Sequence, residues 1–219
     1  MKIVAGSAQA FIRLPQYRFR PSQGHADCFH LDFWVRGKNL FLDSGSFCYN
    51  PHPSVKTNFN SLRAHNTLYL DNHEPMPLLG RFLHGAWCKY KHLTWKHTPD
   101  GASWSGQYTD YKKSTHRRTI HARSNNWEII DELLCIENQA DYYLHLCHGD
   151  WSLANNLLEL PGYLKLSYEV LLGSITNTCL DQAEISHYYL AKTLYPLFTC
   201  TLKPNHQGII QFKTILHLL

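Results

Sequence analysis

The sequence predicts an all-β fold, an antiparallel multi-stranded β-sandwich of the supersandwich kind with little helix. Short runs of alternating apolar and polar residues recur from end to end of the 219 residues, whereas helical periodicity is scarce. Gly, Pro, Asn and Asp bound these runs, as is typical of antiparallel strands joined by turns. No linker or internal repeat divides the chain, so we predict a single domain over residues 1–219.

The first part of the chain predicts five strands. The turn RGKN joins the second and third of them as a β-hairpin. The stretch 50–63 lacks alternation and contains two prolines, so we expect a long surface loop there. The five strands are 10–14 (AFIRL), 28–35 (CFHLDFWV), 39–43 (NLFLD), 66–70 (NTLYL) and 86–92 (AWCKYKH).

The rest of the chain predicts eight further strands. Turn sequences separate neighbouring runs, namely TPDG, RSNN and KPNHQG. Each run alternates well enough to bury one face against a core. The eight strands are 103–108 (SWSGQY), 115–122 (THRRTIHA), 127–134 (WEIIDELL), 142–147 (YYLHLC), 163–168 (YLKLSY), 185–190 (ISHYYL), 198–202 (FTCTL) and 209–216 (IIQFKTIL).

The composition argues against several classes of protein. Lys and Arg total 21 against 17 acidic residues, a formal net charge of +4. This excess fits an acidic ligand but falls short of the basic stripe of nucleic-acid binders, so we expect no nucleic-acid partner. No apolar run approaches the roughly 18 residues that a membrane-spanning helix needs, and no membrane span is expected. Residues 1–23 lack the hydrophobic core of an export signal and are interpreted as mature sequence.

The seven cysteines are spread along the chain without a C-x-x-C pair. An odd number with wide spacing does not indicate a disulfide framework. We expect them to be small, buried, reduced side chains, and a zinc site built from thiolates is not favoured.

Polar residues cluster around the first predicted hairpin. His25 and Asp27 precede strand 28–35 and share the parity of its apolar residues, which places them on the inner face at the strand's end. Asp43 ends the partner strand, so His25 and Asp43 should be spatial neighbours. His65 arrives after the long loop, just before another strand, and supplies a third polar group.

These residue types have two interpretations. Two imidazoles and a carboxylate can coordinate zinc and leave a fourth position for water or a substrate group. Alternatively, they are hydrogen-bonded polar residues at strand ends, and the 15 histidines of the chain make a chance grouping a serious competitor.

Two stretches carry a family resemblance. GHADCFHLDFWVRGKNLFLDSGSFCYN, followed by SLRAHNTLYLD, resembles the C-terminal β-sandwich of the heparinase II/III-like polysaccharide lyases, which act on heparin, heparan sulfate, alginate and related uronate glycans. STHRRTI, WEIIDEL and YYLHLCHGDW resemble later strands of the family more weakly. The resemblance therefore covers most of the chain, although only its first part is specific.

The resemblance implies a ligand set. His25 of GHAD, Asp43 of LDSG and His65 of AHNT match the family's zinc ligands, so Zn²⁺ is the expected cofactor. Well-known members have a catalytic histidine two residues before the first ligand, but here Gln23 stands there. Glutamine can orient a sugar but cannot act as a base. The family's other catalytic groups come from a preceding α/α-toroid domain, which we expect this chain to lack.

We therefore predict a zinc-binding C-terminal domain of a polysaccharide lyase that supports β-elimination of an acidic, uronate-containing polysaccharide. Catalysis is expected to need a toroid domain on a separate or longer chain. The candidate substrate-binding residues are Arg63 and Gln23. Arg63 could bind a carboxylate or sulfate through two N–H groups. The alternative is that Arg63 is a solvated loop residue without a binding role.

Two other functions stay open. One is a non-catalytic carbohydrate-binding or structural module, favoured by Gln23 and the missing toroid. The other is a zinc-dependent hydrolase with Asp27 as general base. The resemblance implies a bacterial cell envelope or periplasm, and the cytoplasm is left open.

Overall fold

Antiparallel strands build almost the whole of the structure, which is a computed structural model. It describes residues 1–15, 24–50, 52, 58–80 and 83–219. Among these residues, one short 3₁₀ helix at Leu62–Ala64 interrupts the strands, and no helix has the length and apolar character needed to cross a membrane. The predicted all-β antiparallel fold is confirmed.

Eighteen strands are found in the described residues, and the eight longest have nine or more residues each. They are β1 (Lys2–Ala5), β2 (Ala8–Ile12), β3 (Leu31–Val35), β4 (Lys38–Phe41), β5 (Leu68–Leu70), β6 (Leu78–Gly80), β7 (Leu83–His84), β8 (Lys89–Thr98), β9 (Gly101–Thr109), β10 (Thr115–Arg123), β11 (Asn126–Leu134), β12 (Ala140–His145), β13 (Ser152–Ala154), β14 (Leu157–Leu160), β15 (Leu164–Leu172), β16 (Ser174–Ile185), β17 (Thr193–Lys203) and β18 (Ile210–Leu218).

These strands form one large sheet and two smaller ones that share its core. The large sheet has eight strands in the order β13-β14-β15-β18-β11-β10-β9-β8. Two four-stranded sheets, β1-β2-β3-β4 and β16-β17-β12-β5, bury side chains against it. The small sheets adjoin each other, because Phe41 at the end of β4 pairs with Leu146 just after β12. A short hairpin of β6 and β7 completes the described strands.

Aromatic rings connect both small sheets to the large one. Phe33 of β3 packs edge-on against Trp127 of β11, with ring centroids 5.1 Å apart. Tyr142 of β12 contacts Phe212 of β18 in the same manner at 5.2 Å. All four side chains are buried, and each such ring contributes a large apolar area to the core.

Most predicted strands are present, and the hairpin turns lie where they were expected. The strand predicted at 185–190 is wrong: the chain turns after Ile185, and Leu190 has a positive φ. The sequence ISHYYL was predicted to be a strand because of its alternating residues. In the structure Tyr188 and Tyr189 are exposed and pair with no strand. β16 was missed because most of its residues are polar and its apolar residues do not alternate regularly, as suits a largely exposed edge strand.

A charged cluster lies inside the large sheet. Arg118 of β10 faces Asp131 of β11, donating from Nε to Oδ1 at 2.7 Å and from Nη2 to Oδ2 at 3.1 Å. His116 Nε2 lies 2.6 Å from the same carboxylate, and all three side chains are buried. Burial alone would raise the pKa of Asp131, but the Arg118 charge and the His116 hydrogen bond hold it below its usual value.

We expect Asp131→Asn to lower the free energy of unfolding by about 3–5 kcal/mol, because it leaves the Arg118 guanidinium buried without a counter-charge. Urea denaturation measures this. The adjacent change Glu132→Gln is the matched control: Glu132 pairs with Arg117 at the surface at 3.3 Å, and its loss should cost about 1 kcal/mol or less. Equal effects of the two substitutions would contradict a buried ion pair.

Candidate metal centre

The candidate site lies where the two small sheets adjoin. The Leu42 N–H, just after β4, donates to the His145 carbonyl at the end of β12 at 2.7 Å. Asp43 follows this junction directly, and the segment from Ala64 to Thr67 runs across it into β5. Three strand ends therefore meet at one place.

Asn66 holds these strand ends together. Its side-chain NH₂ donates to the carbonyls of Leu31 at 2.9 Å and Leu42 at 3.0 Å, and its Oδ1 accepts from the His145 N–H at 2.7 Å. The side chain is fully buried, and each of these backbone groups would lack that bond without it. Asn66 belongs to the AHNT motif, but its role could not be read from alternation.

The main chain of the same residue orients a second histidine. The Asn66 N–H donates to His30 Nδ1 at 2.9 Å, so the hydrogen of a neutral His30 lies on Nε2. That nitrogen faces Asp32 Oδ2 at 3.5 Å and Asp43 Oδ2 at 3.6 Å. His30 is fully buried and was not identified from the sequence, because the strand prediction placed it on the outer face.

A tight turn aims Asp43. The Gly45 N–H donates to Asp43 Oδ1 at 2.7 Å. Gly45 has a φ of +76°, and a Cβ there would collide with the Ser186 carbonyl oxygen, so the SG step of LDSG needs glycine. With Oδ1 engaged by the backbone, Oδ2 is directed toward the histidines.

The three predicted residues are brought together. One ligand atom from each of His25, Asp43 and His65 lies within 4.8 Å of the other two. His65 is fully buried, whereas His25 and Asp43 are half-buried, so the group opens to solvent on one side. His25 Nε2 also lies 3.3 Å from Ser46 Oγ.

The geometry around His65 fits a metal better than a hydrogen bond. Neither ring nitrogen of this buried imidazole has a hydrogen-bond partner among the described residues, which is costly in a protein interior. Its Nδ1 lies 3.5 Å from Asp43 Oδ2, long for a hydrogen bond. Two ligands of one tetrahedral zinc, each about 2.0–2.1 Å from the ion, are separated by roughly 3.4 Å. The residues present therefore fit zinc.

The protonation states suit metal ligands. Burial alone would raise the pKa of Asp43, but the imidazoles of His65 and His30 and the Gly45 N–H bring it well below its usual range. Burial lowers the pKa of His25, and the neighbouring His65 lowers it further. A carboxylate and a neutral imidazole are the forms that coordinate a metal.

A cleft opens beside the half-buried side chains of His25 and Asp43. It has a volume of about 570 Å³. Arg13 lines it with an exposed side chain 4.0 Å from Asp27, and the two charged groups face the same space. Arg13 was missed because a single arginine within a predicted strand carries no distinctive pattern. The other lining residues among those described are Met1, Ile12, Leu14, Pro15, Gly24, His25, Asp43 and Ser46.

The two candidate substrate-binding residues are placed differently. Arg63 is not among the described residues that line the cleft; its guanidinium stacks over the Tyr69 ring at 4.3 Å and donates to Asn72 Oδ1 at 3.3 Å. Gln23 lies outside the described residues. The substrate-binding roles of both stay predictions.

One geometric argument from the sequence was wrong in its details. β3 begins at Leu31, and residues 28–29 form a turn in which Phe29 has a φ of +57°. The turn breaks the alternation, so His25 and Asp27 are not on the inner face of that strand. They reach the cleft through an irregular segment instead.

His145 and His148 occupy separate environments. His145 is buried close to His65 and His30, and desolvation, with their charges, lowers its pKa to about 3. His148 is exposed and stacks on Tyr195 with ring centroids 3.9 Å apart. Neither belongs to the three-residue group.

The fold and the site define a class: an antiparallel β-sandwich with a His/His/Asp group at the junction of two small sheets. The sequence profile described as heparinase II/III-like, C-terminal, matches residues 3–191. The chain belongs to this family, and the predicted resemblance is confirmed. No curated protein matches the chain significantly.

Solved structures share the fold. The heparinase III BT4657 gene product aligns over 97% of this chain and 33% of its own, with a TM-score of 0.78 and 18% identity. A mutant of the heparan sulfate lyase HepC from Pedobacter heparinus aligns over 97% and 33%, with a TM-score of 0.74 and 17% identity. A heparinase III aligns over 89% and 30%, with a TM-score of 0.68 and 15% identity. The chain thus spans about a third of the length of these proteins.

We expect the purified chain to carry about one zinc ion, and His65→Ala to lose it, because a three-residue site that loses its buried ligand keeps too few donors. Elemental mass spectrometry on dialysed protein measures the zinc per chain. His148→Ala is the control, since that imidazole lies outside the group, and it should retain the metal. Zinc retained at full stoichiometry in His65→Ala would contradict the ligand assignment.

We expect Asn66→Leu to destabilise the fold by about 3 kcal/mol or more, because it leaves two buried carbonyls and one buried N–H without their partners. Thr67→Val is a milder comparison at the next position, where a single hydroxyl bond to the Cys28 carbonyl is lost, at about 1 kcal/mol. Urea denaturation gives both values. If the two substitutions cost the same, Asn66 does not hold the junction.

Proposed function

We propose that this chain is the C-terminal β-sandwich of a heparinase II/III-like polysaccharide lyase, and that it binds one zinc ion through His25, Asp43 and His65. The observation that carries the proposal is His65: a buried imidazole without a hydrogen-bond partner among the described residues, facing a carboxylate at ligand-to-ligand distance. The exposed guanidinium of Arg13, which lines the cleft, suits an acidic ligand.

Such an enzyme would catalyse β-elimination at a uronate residue of the polysaccharide. The substrate carboxylate must be neutralised, the proton at C5 removed, and the leaving glycosidic oxygen protonated. Zinc, when bound, would supply positive charge to the cleft and fix the ligand-bearing segments.

The side chains of this chain would bind and orient the glycan. Arg13, with its exposed guanidinium on the cleft wall, is suited to hold a uronate carboxylate or a sulfate through paired N–H groups. Asp27 lies beside it and would keep its side chain in place. Among the residues that face this cleft we assign no proton-abstracting base; in our proposal the base comes from a toroid domain on a longer or separate chain.

The substrate class in this proposal is an acidic, uronate-containing polysaccharide. Two of the matched structures are named as a heparinase III and a heparan sulfate lyase, names that refer to glycans of this class. The net positive charge of this chain also suits an acidic partner. A bacterial cell envelope is the proposed location.

The test is a lyase assay on the chain joined to, or mixed with, a toroid domain of the family. Heparan sulfate, heparin and alginate are supplied, and ultraviolet absorbance detects the unsaturated uronate product. We expect product from at least one glycan and, for Arg13→Ala, a kcat/KM lower by about tenfold because a charge-assisted contact is lost. Arg117→Ala, a surface change on β10, should leave the rate unchanged.

Calorimetric titration of the same glycans into the chain alone gives a second readout. Binding that weakens in Arg13→Ala supports the cleft as the glycan site whether or not turnover occurs. Binding without product in any combination would contradict the lyase and support the non-catalytic carbohydrate-binding module. Neither binding nor product would contradict both.

A further inference from the structure

Two cysteines distant in sequence meet in the core. The Sγ atoms of Cys28 and Cys88 lie 3.4 Å apart, and both side chains are buried. All seven cysteines are free thiols, and among the described residues this is the one sulfur-to-sulfur hydrogen bond. Cys147 and Cys200 are buried as predicted, whereas Cys48 is half-buried and Cys135 and Cys179 are exposed, contrary to expectation.

The pair connects the segment that carries His25 to the segment that follows the β6–β7 hairpin. Cys28 lies in the turn between His25 and β3, and its carbonyl accepts a hydrogen bond from Thr67 Oγ1 at 3.0 Å. Cys88 precedes β8 and follows the β6–β7 hairpin. His84 of that hairpin has Nε2 3.1 Å from the Gly24 carbonyl, so the two segments are already in contact at a second point.

We infer that Cys28 and Cys88 are a modification site, forming a disulfide bond when the chain meets a thiol–disulfide oxidant such as oxidised glutathione. A thiolate of one cysteine attacks the oxidant's disulfide, and one glutathione thiol leaves. The second cysteine then attacks the mixed disulfide and releases the other glutathione thiol. Two protein thiols are oxidised, one external disulfide is reduced, and the protons pass to the released thiols.

The sulfurs need to approach by about 1.4 Å to reach a normal S–S bond length of roughly 2.05 Å. The turn that carries Cys28 and the irregular segment before β8 are outside the regular ladders, so this approach does not require two paired strands to move. This inference is independent of the proposed lyase activity and of the metal.

The native fold protects the two thiols. Cys88 has a pKa well above its usual value because of the hydrogen bond to Cys28 and because of burial, and the thiolate is the reactive form. We therefore expect oxidation during folding or local opening, and slow reaction in the closed protein. Exposed Cys135 and Cys179 should instead react directly with oxidised glutathione, each forming a mixed disulfide and releasing one glutathione thiol, and should not form a bond to each other.

The bond would close a long loop. The two cysteines are 60 positions apart, and cross-links of that span restrict the unfolded chain strongly. The oxidised protein should therefore unfold at a higher temperature than the reduced protein, by roughly 10 °C. The cross-link would also anchor the segment that carries His25.

The experiment refolds the reduced, urea-unfolded chain in a buffer of oxidised and reduced glutathione. The folded fraction is alkylated, digested and mapped by mass spectrometry. We expect a cross-linked peptide pair containing Cys28 and Cys88, and a thermal midpoint that falls by roughly 10 °C on adding a reductant. A second arm oxidises never-unfolded protein at a urea concentration below its unfolding midpoint, where local opening exposes the pair.

Two variants complete the design. Cys88→Ala should lack the cross-link and show no dependence of the thermal midpoint on reductant. Cys200→Ala removes another buried thiol and should keep both the cross-link and that dependence. Absence of the Cys28–Cys88 peptide from the wild-type protein in both arms, or a distribution of random cross-links, would overturn the inference even if a variant failed to fold.

Discussion

The buried amide of Asn66 is the interaction on which the rest of the site depends. One side chain satisfies backbone groups from the start of β3, the end of β4 and the end of β12. At this junction β4 and β12 are joined by a bridge between Phe41 and Leu146 and not by a long ladder. A side chain with two donors and an acceptor satisfies the backbone groups that this bridge leaves without partners. His65 is its sequence neighbour, and Asp43 follows one of the strand ends that it holds.

A second buried group ties this junction to the large sheet. Arg118 Nη1 donates to the carbonyls of Phe29 at 2.6 Å and Asn66 at 3.3 Å, while its other nitrogens are held by Asp131. The guanidinium thus spans the interior from the large sheet to the segments that carry the candidate ligands. A charged group is suited to this because its fork of N–H groups satisfies several acceptors in fixed directions. Among the described residues, the candidate metal centre is therefore supported from within the core and opens toward the cleft.

Much of the fold could be predicted from the sequence, because alternation and turn residues are local signals. The edge strand β16 could not, since most of its side chains are polar and exposed, and its few apolar residues do not alternate regularly. The grouping of His25, Asp43 and His65 was predicted from hairpin geometry and from family resemblance. The role of Asn66 was not predicted, because it depends on contacts with three segments that are distant in sequence. Such contacts leave no local sequence pattern.

The central claim is that these three side chains share one metal ion. The most direct measurement is anomalous diffraction at the zinc absorption edge from crystals of the metal-loaded chain. Our account predicts one peak at about 2.0–2.2 Å from a nitrogen of His25, a nitrogen of His65 and an oxygen of Asp43. A peak bound by cysteine sulfur, or no peak among these three residues, would contradict it.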